Sequence, residues 1–413
     1  MALPRVRLED LERVLPTGLV KKLAIRHKVD AHNQIRLRGT VVFTCLLDAV
    51  MNFGIVTQRL LEEIHGQRIG THADHSSFGR RLAKIPWKFF EAIYLDLHER
   101  LAPQAGAGDQ RAVRVRRVDA TIVALSAKLL EWGLKCGNRK QKAAKRQIKG
   151  VFTLEEDDLP RLLHVCEKQS ETSDSVAIGD AMIRNARPND LWVFDKGCNS
   201  RDRLLKLHQA GAYFLTPHST QALQDRETVW QSADAPPTAA PGKDEPTFVV
   251  RHVERAYFGN SQESAEKRAR WRQMPLLFVH GLRWDTRNGS WKPMVLMTNL
   301  PLREDRTGAG PYTWAELADV YRQRWEIELV FKFLKQHLGY DHPTSRSENG
   351  IRVMIYMSLI AALLLIWYKR HTGINRGWRS VRAWFAHDLR FWIEKALHDV
   401  VRDVFAPPEV SPG

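Results

Sequence analysis

The stretch Val353 to Tyr368, VMIYMSLIAALLLIWY, is apolar on every side of a helix and constrains the fold more than any other segment. It is 16 residues long, whereas a membrane-spanning helix needs about 20. Arg352 closes it on one side, and Lys369 and Arg370 on the other. It reads as a core helix that other elements must cover all round, in a protein with no membrane partner. A chain of 413 residues with 44% apolar side chains can form two or three domains around a sizeable core.

The charge balance narrows the function. There are 63 basic and 47 acidic side chains, a net charge of +16, and a field of that sign predicts a polyanionic partner. Nucleic acid is one reading; a basic face on a ribosome or membrane surface is the other. Cys45, Cys136, Cys166 and Cys198 form no C-x-x-C pair. That excludes a zinc ribbon and a disulfide scaffold and predicts reduced thiols in a cytoplasmic protein. Arg5, Arg7, Glu9 and Asp10 interrupt any early apolar run, so no secretory signal is expected.

Periodicity divides the chain. Residues 1–105 are expected to be helical, with Leu46, Leu47, Val50, Leu60 and Leu61 at helical spacing. Ser76-Ser77 reads as the cap of a basic helix, and Pro86 opens another from Trp87 to Leu101. Two roles fit this region: a helix-turn-helix-like DNA-binding module, or a bundle supporting the next domain. Pro103 to Gly108 is a linker by composition. Strands are then expected over Val113–Val118, ending at Asp119, and over a hairpin of Gln147–Leu154 and Arg161–Glu167 with an acidic turn. A helix over Ser175–Ala186, the buried strand Leu191–Phe194 ending at Asp195, a helix over Asp202–Ala210 and a strand over Ala212–Leu215 complete a mixed α/β core. Residues 217–299 read as a β-rich insertion, with strands over Thr247–Arg255, Leu276–Trp284 and Trp291–Thr298 and an Asn-Gly turn. The core resumes over 300–370, and 371–413 form a helical C-terminal region with a Pro-rich end.

The segment from Trp314 to Lys335 carries the chemistry. Thr313 and Glu316 form a capping box. At about 100° per residue, one continuous helix puts Tyr321, Arg324, Glu328, Lys332 and Lys335 on one narrow face. Ile327, Leu329, Val330, Phe331, Phe333 and Leu334 then form a buried back. The stripe is either a solvated row of salt bridges or a cleft for an anion; its surplus of positive charge fits the cleft.

The spacing Y-x2-R-x3-E-x6-K, here Tyr321, Arg324, Glu328 and Lys335, resembles the YREK signature of bacterial insertion-sequence DDE transposases. Arg324-Trp325-Glu326-Ile327-Glu328 and Met297-Thr-Asn-Leu-Pro301 resemble the same family, over about residues 35 to 370. The resemblance implies an RNase H-like mixed sheet core. It implies a first catalytic aspartate at Asp119, in Val118-Asp119-Ala-Thr121, and a second at Asp195, in Phe194-Asp195-Lys-Gly197. Asp119, Asp195 and Glu328 would then be both the catalytic and the metal-binding residues. They would hold two Mg²⁺ ions, with Mn²⁺ as a substitute: Asp119 between them, Asp195 and Glu328 one on each side. Tyr321, Arg324, Lys332 and Lys335 would grip phosphates.

The same resemblance implies double-stranded DNA partners, the inverted-repeat ends of the element and a target, bound by a synaptic dimer. The run from Lys135 to Lys149, with Arg139, Lys140, Lys142, Lys145 and Arg146 and no acid, suits sequence-independent phosphate contacts. Trp271, Trp284 and Trp291 in the insertion suit core packing, or stacking on a flipped base as in relatives with hairpin intermediates. The chain departs from the family after Asp195, where Phe214-Leu-Thr-Pro217-His218 stands in place of a strand followed by an arginine. Two other functions remain open to the sequence: a non-catalytic DNA-binding repressor, and a metal-dependent nuclease without strand transfer.

Overall fold

The computed structural model describes residues 6–30, 37–102, 113–125, 133–136, 145–155, 158–218, 222–242, 245–260, 262–303 and 310–405. By packing, the chain forms two compact units. One comprises residues 1–104, 122–147 and 330–413, the other residues 105–121 and 148–329. The fold class is mixed α/β, as the alternation of patterns predicts.

The first unit is helical. Its amino-terminal part holds α1 (Leu8–Val14), α2 (Thr17–Arg26), α3 (Gly39–Phe53), α4 (Gln58–Ile69), α5 (His75–Lys84) and α6 (Trp87–Leu101). The cap of α5 is Asp74, not the serines after it: its carboxylate accepts the N–H groups of Ser76 and Ser77 at 2.8 and 3.1 Å. Helix α12 (Glu348–Thr372) contains the apolar stretch and extends it to 25 residues. Its length and mean hydropathy of 2.0 would let it cross a membrane, but 94% of its apolar window is buried inside the protein. It packs against α3, α5, α6 and α13 (Trp378–Phe405). Gly54 ends α3 at φ +78°, and Gly339 faces it so closely that an added Cβ would lie 2.5 Å from the Gly54 carbonyl oxygen. The Pro-rich chain end and the linker at 103–108 lie outside the described residues.

The second unit is built on a mixed sheet. Strand β1 (Arg114–Leu125) begins in it, and β2 (Leu134–Cys136) pairs with the start of β3 (Lys145–Leu154). β3 forms the expected hairpin with β4 (Pro160–Cys166). Helix α7 (Asp174–Asn185), β5 (Asp190–Val193), α8 (Arg201–Gln209) and β6 (Tyr213–Pro217) follow. β1 runs parallel to β5, and β5 parallel to β6.

The next strands are β7 (Leu223–Gln231), β8 (Phe248–Phe258), β9 (Leu276–Asp285) and β10 (Ser290–Thr298), with α9 (Ala265–Trp271) between β8 and β9. They continue the same sheet, because β10 pairs antiparallel with β6. From β3 the order is β3-β1-β5-β6-β10-β9-β8-β7. Helix α10 (Trp314–Arg322) covers one face, where Trp314, Leu317 and Val320 pack with Val115, Leu191, Val193, Leu215 and Val279. The capping box at its start is formed: Thr313 N donates to Glu316 Oε2 at 2.7 Å, and Glu316 N donates to Thr313 Oγ1 at 3.1 Å.

The long helix expected from Trp314 to Lys335 is broken. α10 ends at Arg322 and α11 (Trp325–Leu338) begins after a turn at Gln323 and Arg324. Arg324 N bonds Tyr321 O at 3.0 Å and Ile327 N bonds Arg324 O at 3.3 Å, so three-residue steps replace the α-helical ladder there. The buried back is also narrower than expected, with Trp325 at 58% and Leu329 at 52% exposure.

Candidate active site

The register of two parallel strands brings the first two carboxylates level. Arg114 through Arg117 of β1 pair with Asp190 through Val193 of β5. Asp119 and Asp195 each lie two residues beyond the last pair, Arg117 and Val193. Side chains alternate along a strand, so Asp119 continues the face of Val115, the face under α10, while Asp195, just past the end of β5, acts with Asp119 on the Cys198 thiol. Asp119 lies inside β1, which runs on to Leu125, and not at a strand end as expected. β5 stops at Val193, and Asp195 then caps a short turn by accepting the Lys196 N–H at 2.8 Å.

Arg324 joins Glu328 to this pair. Its Nη2 donates to Glu328 Oε1 at 3.0 Å, and its Nη1 lies 3.5 Å from Asp119 Oδ2. Its side chain is 14% exposed and lies 6.0 Å from the centre of the Tyr321 ring. Burial pulls the Arg324 guanidinium down, but Tyr321, Asp119 and Glu328 outweigh it and hold it above its ordinary value.

Burial raises the Asp119 carboxyl above its ordinary value, and Glu328 and Asp174 add to this against the pull of the Ala120 N–H and Arg324. Burial and the carboxylates of Asp174, Asp119 and Asp195 push the Cys198 thiol up to about 12. It therefore stays a neutral thiol behind the carboxylates. Burial likewise raises Tyr321, with Asp195 contributing.

Three acids near the signature are thus told apart by their partners. Asp319 pairs at 3.2 Å with exposed Arg322. Glu326 pairs with Arg117, a buried arginine that also meets Asp158 at 3.0 Å. Glu328 faces Arg324 and, through it, Asp119.

Lys332 is exposed and Lys335 half-buried further along α11. Arg139, Lys140 and Lys142 lie outside the described residues, while Lys145 and Arg146 open β3 opposite Cys136 and Lys135. Lys149 departs from the expectation of a phosphate-contacting run. Only 2% of its side chain is exposed, and it pairs with Asp174 at 2.7 Å and with the Thr172 carbonyl. Its charge is visible in the sequence, but its burial is not. Asp174, a neighbour of the site that sequence reasoning missed, carries no motif of its own.

Trp271 is buried in the core, and Trp284 packs edge-to-face on Trp291 with centroids 5.5 Å apart. The exposed indole at the site is instead Trp325. With Tyr321, Arg324, Arg283 and Phe248 it lines a cavity of about 270 Å³.

The donor set suits hard divalent cations: Asp119, Asp195 and Glu328 offer only oxygen, and like charge around Asp119 disfavours its ionised form unless a cation compensates. Among the described residues, three-ligand groups with donor atoms all within 4.8 Å occur at His164, Cys166 and Glu171 and at His252, Glu254 and His280. Asp119, Asp195 and Glu328 do not form such a group.

The family model described as the transposase DDE domain matches residues 112–364. A curated transposase of insertion sequence element IS4SA from Synechocystis is 41% identical over 70 residues, 17% of this chain and 20% of that protein. The transposase of insertion sequence element IS421 from Escherichia coli is 38% identical over 72 residues, 17% of this chain and 18% of that protein. The chain thus spans about a fifth of the length of the curated relatives it matches. The cryo-EM structure of the piggyBac transposase synaptic complex with hairpin DNA aligns with a TM-score of 0.46 and 9% identity, over 97% of this chain and 82% of that one. With a match that covers more than half its length, the chain belongs to the transposase DDE domain family.

Proposed function

We propose that this protein is a DNA transposase of the YREK group. It binds the inverted-repeat ends of its element as a synaptic dimer, cleaves them and joins the 3′-hydroxyls to target DNA. The observation that carries this reading is the meeting of Asp119 with Glu328 across Arg324, beside a strand register that sets Asp195 level with Asp119. The order β4-β3-β1-β5-β6, an antiparallel hairpin beside parallel strands, supports an RNase H-like core.

Asp119, Asp195 and Glu328 would hold two Mg²⁺ ions, with Mn²⁺ as a substitute. When bound, these would supply an activated attacking oxygen and a stabilised leaving oxygen in the in-line displacement at a phosphodiester. The protein's own groups orient the substrate. Arg324 offers a guanidinium fork to a phosphate near the cut, Tyr321 adds a hydroxyl beside it, and Lys332 and Lys335 add point charges. Trp325 and Phe248 give the neighbouring cavity an apolar wall. Lys145 and Arg146, with Arg139, Lys140 and Lys142, contact backbone phosphates without reading sequence.

The test supplies labelled DNA from the two borders of the element, Mg²⁺ and a target plasmid. Joined product is expected from the unaltered chain. Glu328→Ala is expected to abolish cleavage while retaining end binding. Cleavage at the normal rate by that variant overturns the role of Glu328. Binding without cleavage by the unaltered chain favours a repressor, and cleavage without joining favours a nuclease.

A further inference from the structure

Within the helical unit, the starts of α4 and α5 and the segment Thr344–Ser347 before α12 bound an open groove of about 940 Å³. Its lining contains Arg59, Arg80, Arg346 and His75 and no carboxylate. All three arginines are exposed. Arg80 donates to Ser77 Oγ at 3.0 Å, and none of the three forms an ion pair among the described residues. Of the flanking acids, Glu62 pairs with His72 and with the groove's own His75 at 3.0 and 3.3 Å, Asp74 accepts the Ser76 and Ser77 N–H groups at 2.8 and 3.1 Å, and Glu348 pairs with Arg352 at 3.1 Å; none of them pairs with the three arginines. The result is unneutralised positive charge on a concave surface.

The walls are fixed in place. Thr344 Oγ1 donates to the Val56 carbonyl at 2.5 Å, tying the segment before α12 to the entry of α4. Asn349 Nδ2 donates to the carbonyls of Leu82 and Ile85 at 2.9 and 2.6 Å, tying the start of α12 to the end of α5. Gly79 lets α5 approach Gln58 so closely that an added Cβ would lie 2.9 Å from its amide. An open, preformed, cationic channel suits a polymer of phosphates better than a small enclosed anion. Its lining has no phenyl, phenol or indole ring, and bases of a single strand need such rings to stack on. Guanidinium groups and hydroxyls without stacking platforms match the sugar–phosphate backbone of a duplex.

We propose that this groove is a second DNA-contact surface, separate in its residues from the carboxylate site, that grips the backbone of duplex DNA without reading its sequence. The proposal rests on the reading of this chain as a protein that acts on DNA. The test measures binding of a fluorescent random-sequence duplex, and of one of its strands alone, across a salt series. It compares the full chain with the triple variant R59A/R80A/R346A and the matching triple lysine variant. The alanine variant is expected to bind the duplex about tenfold more weakly. Its log-affinity against log-salt slope is expected to fall by roughly 2 to 3, at about 0.9 for each phosphate that the variant no longer neutralises. The lysine variant is expected to keep most of the affinity.

An alanine variant that retains its circular dichroism and melting temperature, and also the affinity and slope of the unaltered chain, overturns the groove. Loss of single-strand binding with duplex binding intact overturns the duplex assignment. Failure of the unaltered chain to bind any DNA overturns the proposed function itself, a different outcome from either.

Discussion

Replacing Arg324 by methionine removes a guanidinium that touches both Asp119 and Glu328 while keeping a long side chain in its place. Two unit charges about 4 Å apart at an effective dielectric of about 20 attract by roughly 4 kcal/mol, and the contacts here are 3.5 and 3.0 Å. Desolvation cancels much of that gain, yet removing one member of a buried ion cluster still costs about 3 to 5 kcal/mol. The Asp119 and Glu328 side chains keep 27% and 31% of their exposure, so water can reach both. We therefore expect the loss to be smaller, roughly 2 kcal/mol, or a drop in Tm of about 4 to 8 °C in metal-free buffer. Thermal unfolding followed by circular dichroism measures it. The double variant R324M/D119N should recover part of the loss, because the repulsion left behind is then relieved. Added Mn²⁺ should raise the Tm of Arg324→Met by more than it raises that of the unaltered chain, since the carboxylates are no longer engaged by the guanidinium. DNA cleavage should nevertheless fall. If Arg324→Met melts with the unaltered chain and gains no extra shift from Mn²⁺, the guanidinium does not hold these carboxylates and the reasoning fails.

Other perturbations follow from the same contacts. Burial holds the Asp119 pKa above its ordinary value of 3.8, so the folded chain binds that proton more tightly than the unfolded one. The stability this contributes is complete below the unfolded value and is lost as pH rises through the folded one. Asp119→Asn should therefore raise the metal-free Tm at neutral pH and leave it little changed in acid, which melting curves at the two conditions would check. Asp174→Asn removes the negative charge that the buried Lys149 ammonium faces, leaving it neutral acceptors such as the Thr172 carbonyl. It should destabilise by about 2 kcal/mol and by more than Lys149→Met does, as read from urea midpoints. Thr313→Ala breaks the capping box of α10 and should cost about 1 kcal/mol, with cleavage falling in the same variant because Tyr321 and Arg324 follow from that helix.

The sequence made the core elements legible wherever a local pattern coincided with the tertiary one. The apolar runs at Leu191–Phe194 and Ala212–Leu215 are buried strands because both faces of β5 and β6 are covered. Thr313 and Glu316 cap a helix because that chemistry is complete within four consecutive residues. The misses arise where the deciding partner is distant in sequence. β7 reads LQDRETVWQ, as polar as a loop, because it is the edge of the sheet and water meets its outer side. Lys149 looks like its neighbours in a basic run until Asp174, far along the chain, takes its charge. The turn at Gln323 and Arg324 contains neither glycine nor proline, so nothing local announces it.

That turn has a cause in the contacts on either side of it. Arg117 and Asp119 are alternate residues on one face of β1. Arg117 is a buried cation that takes Glu326, and Asp119 is a half-buried anion that meets Arg324. The strand thus offers a positive and then a negative charge, and the first residues of α11 and the turn before it answer with the opposite signs. Sliding the helix by one position would break both pairs. Satisfying both pairs while α10 stays packed on the sheet through Trp314, Leu317 and Val320 offers a physical reason for the three-residue steps at Arg324. Helical periodicity alone leaves Glu326 and Glu328 as rivals for the place beside Asp119. The crossed pairs of charges assign it to Glu328, because they employ Glu326 in holding the helix where Glu328 can reach.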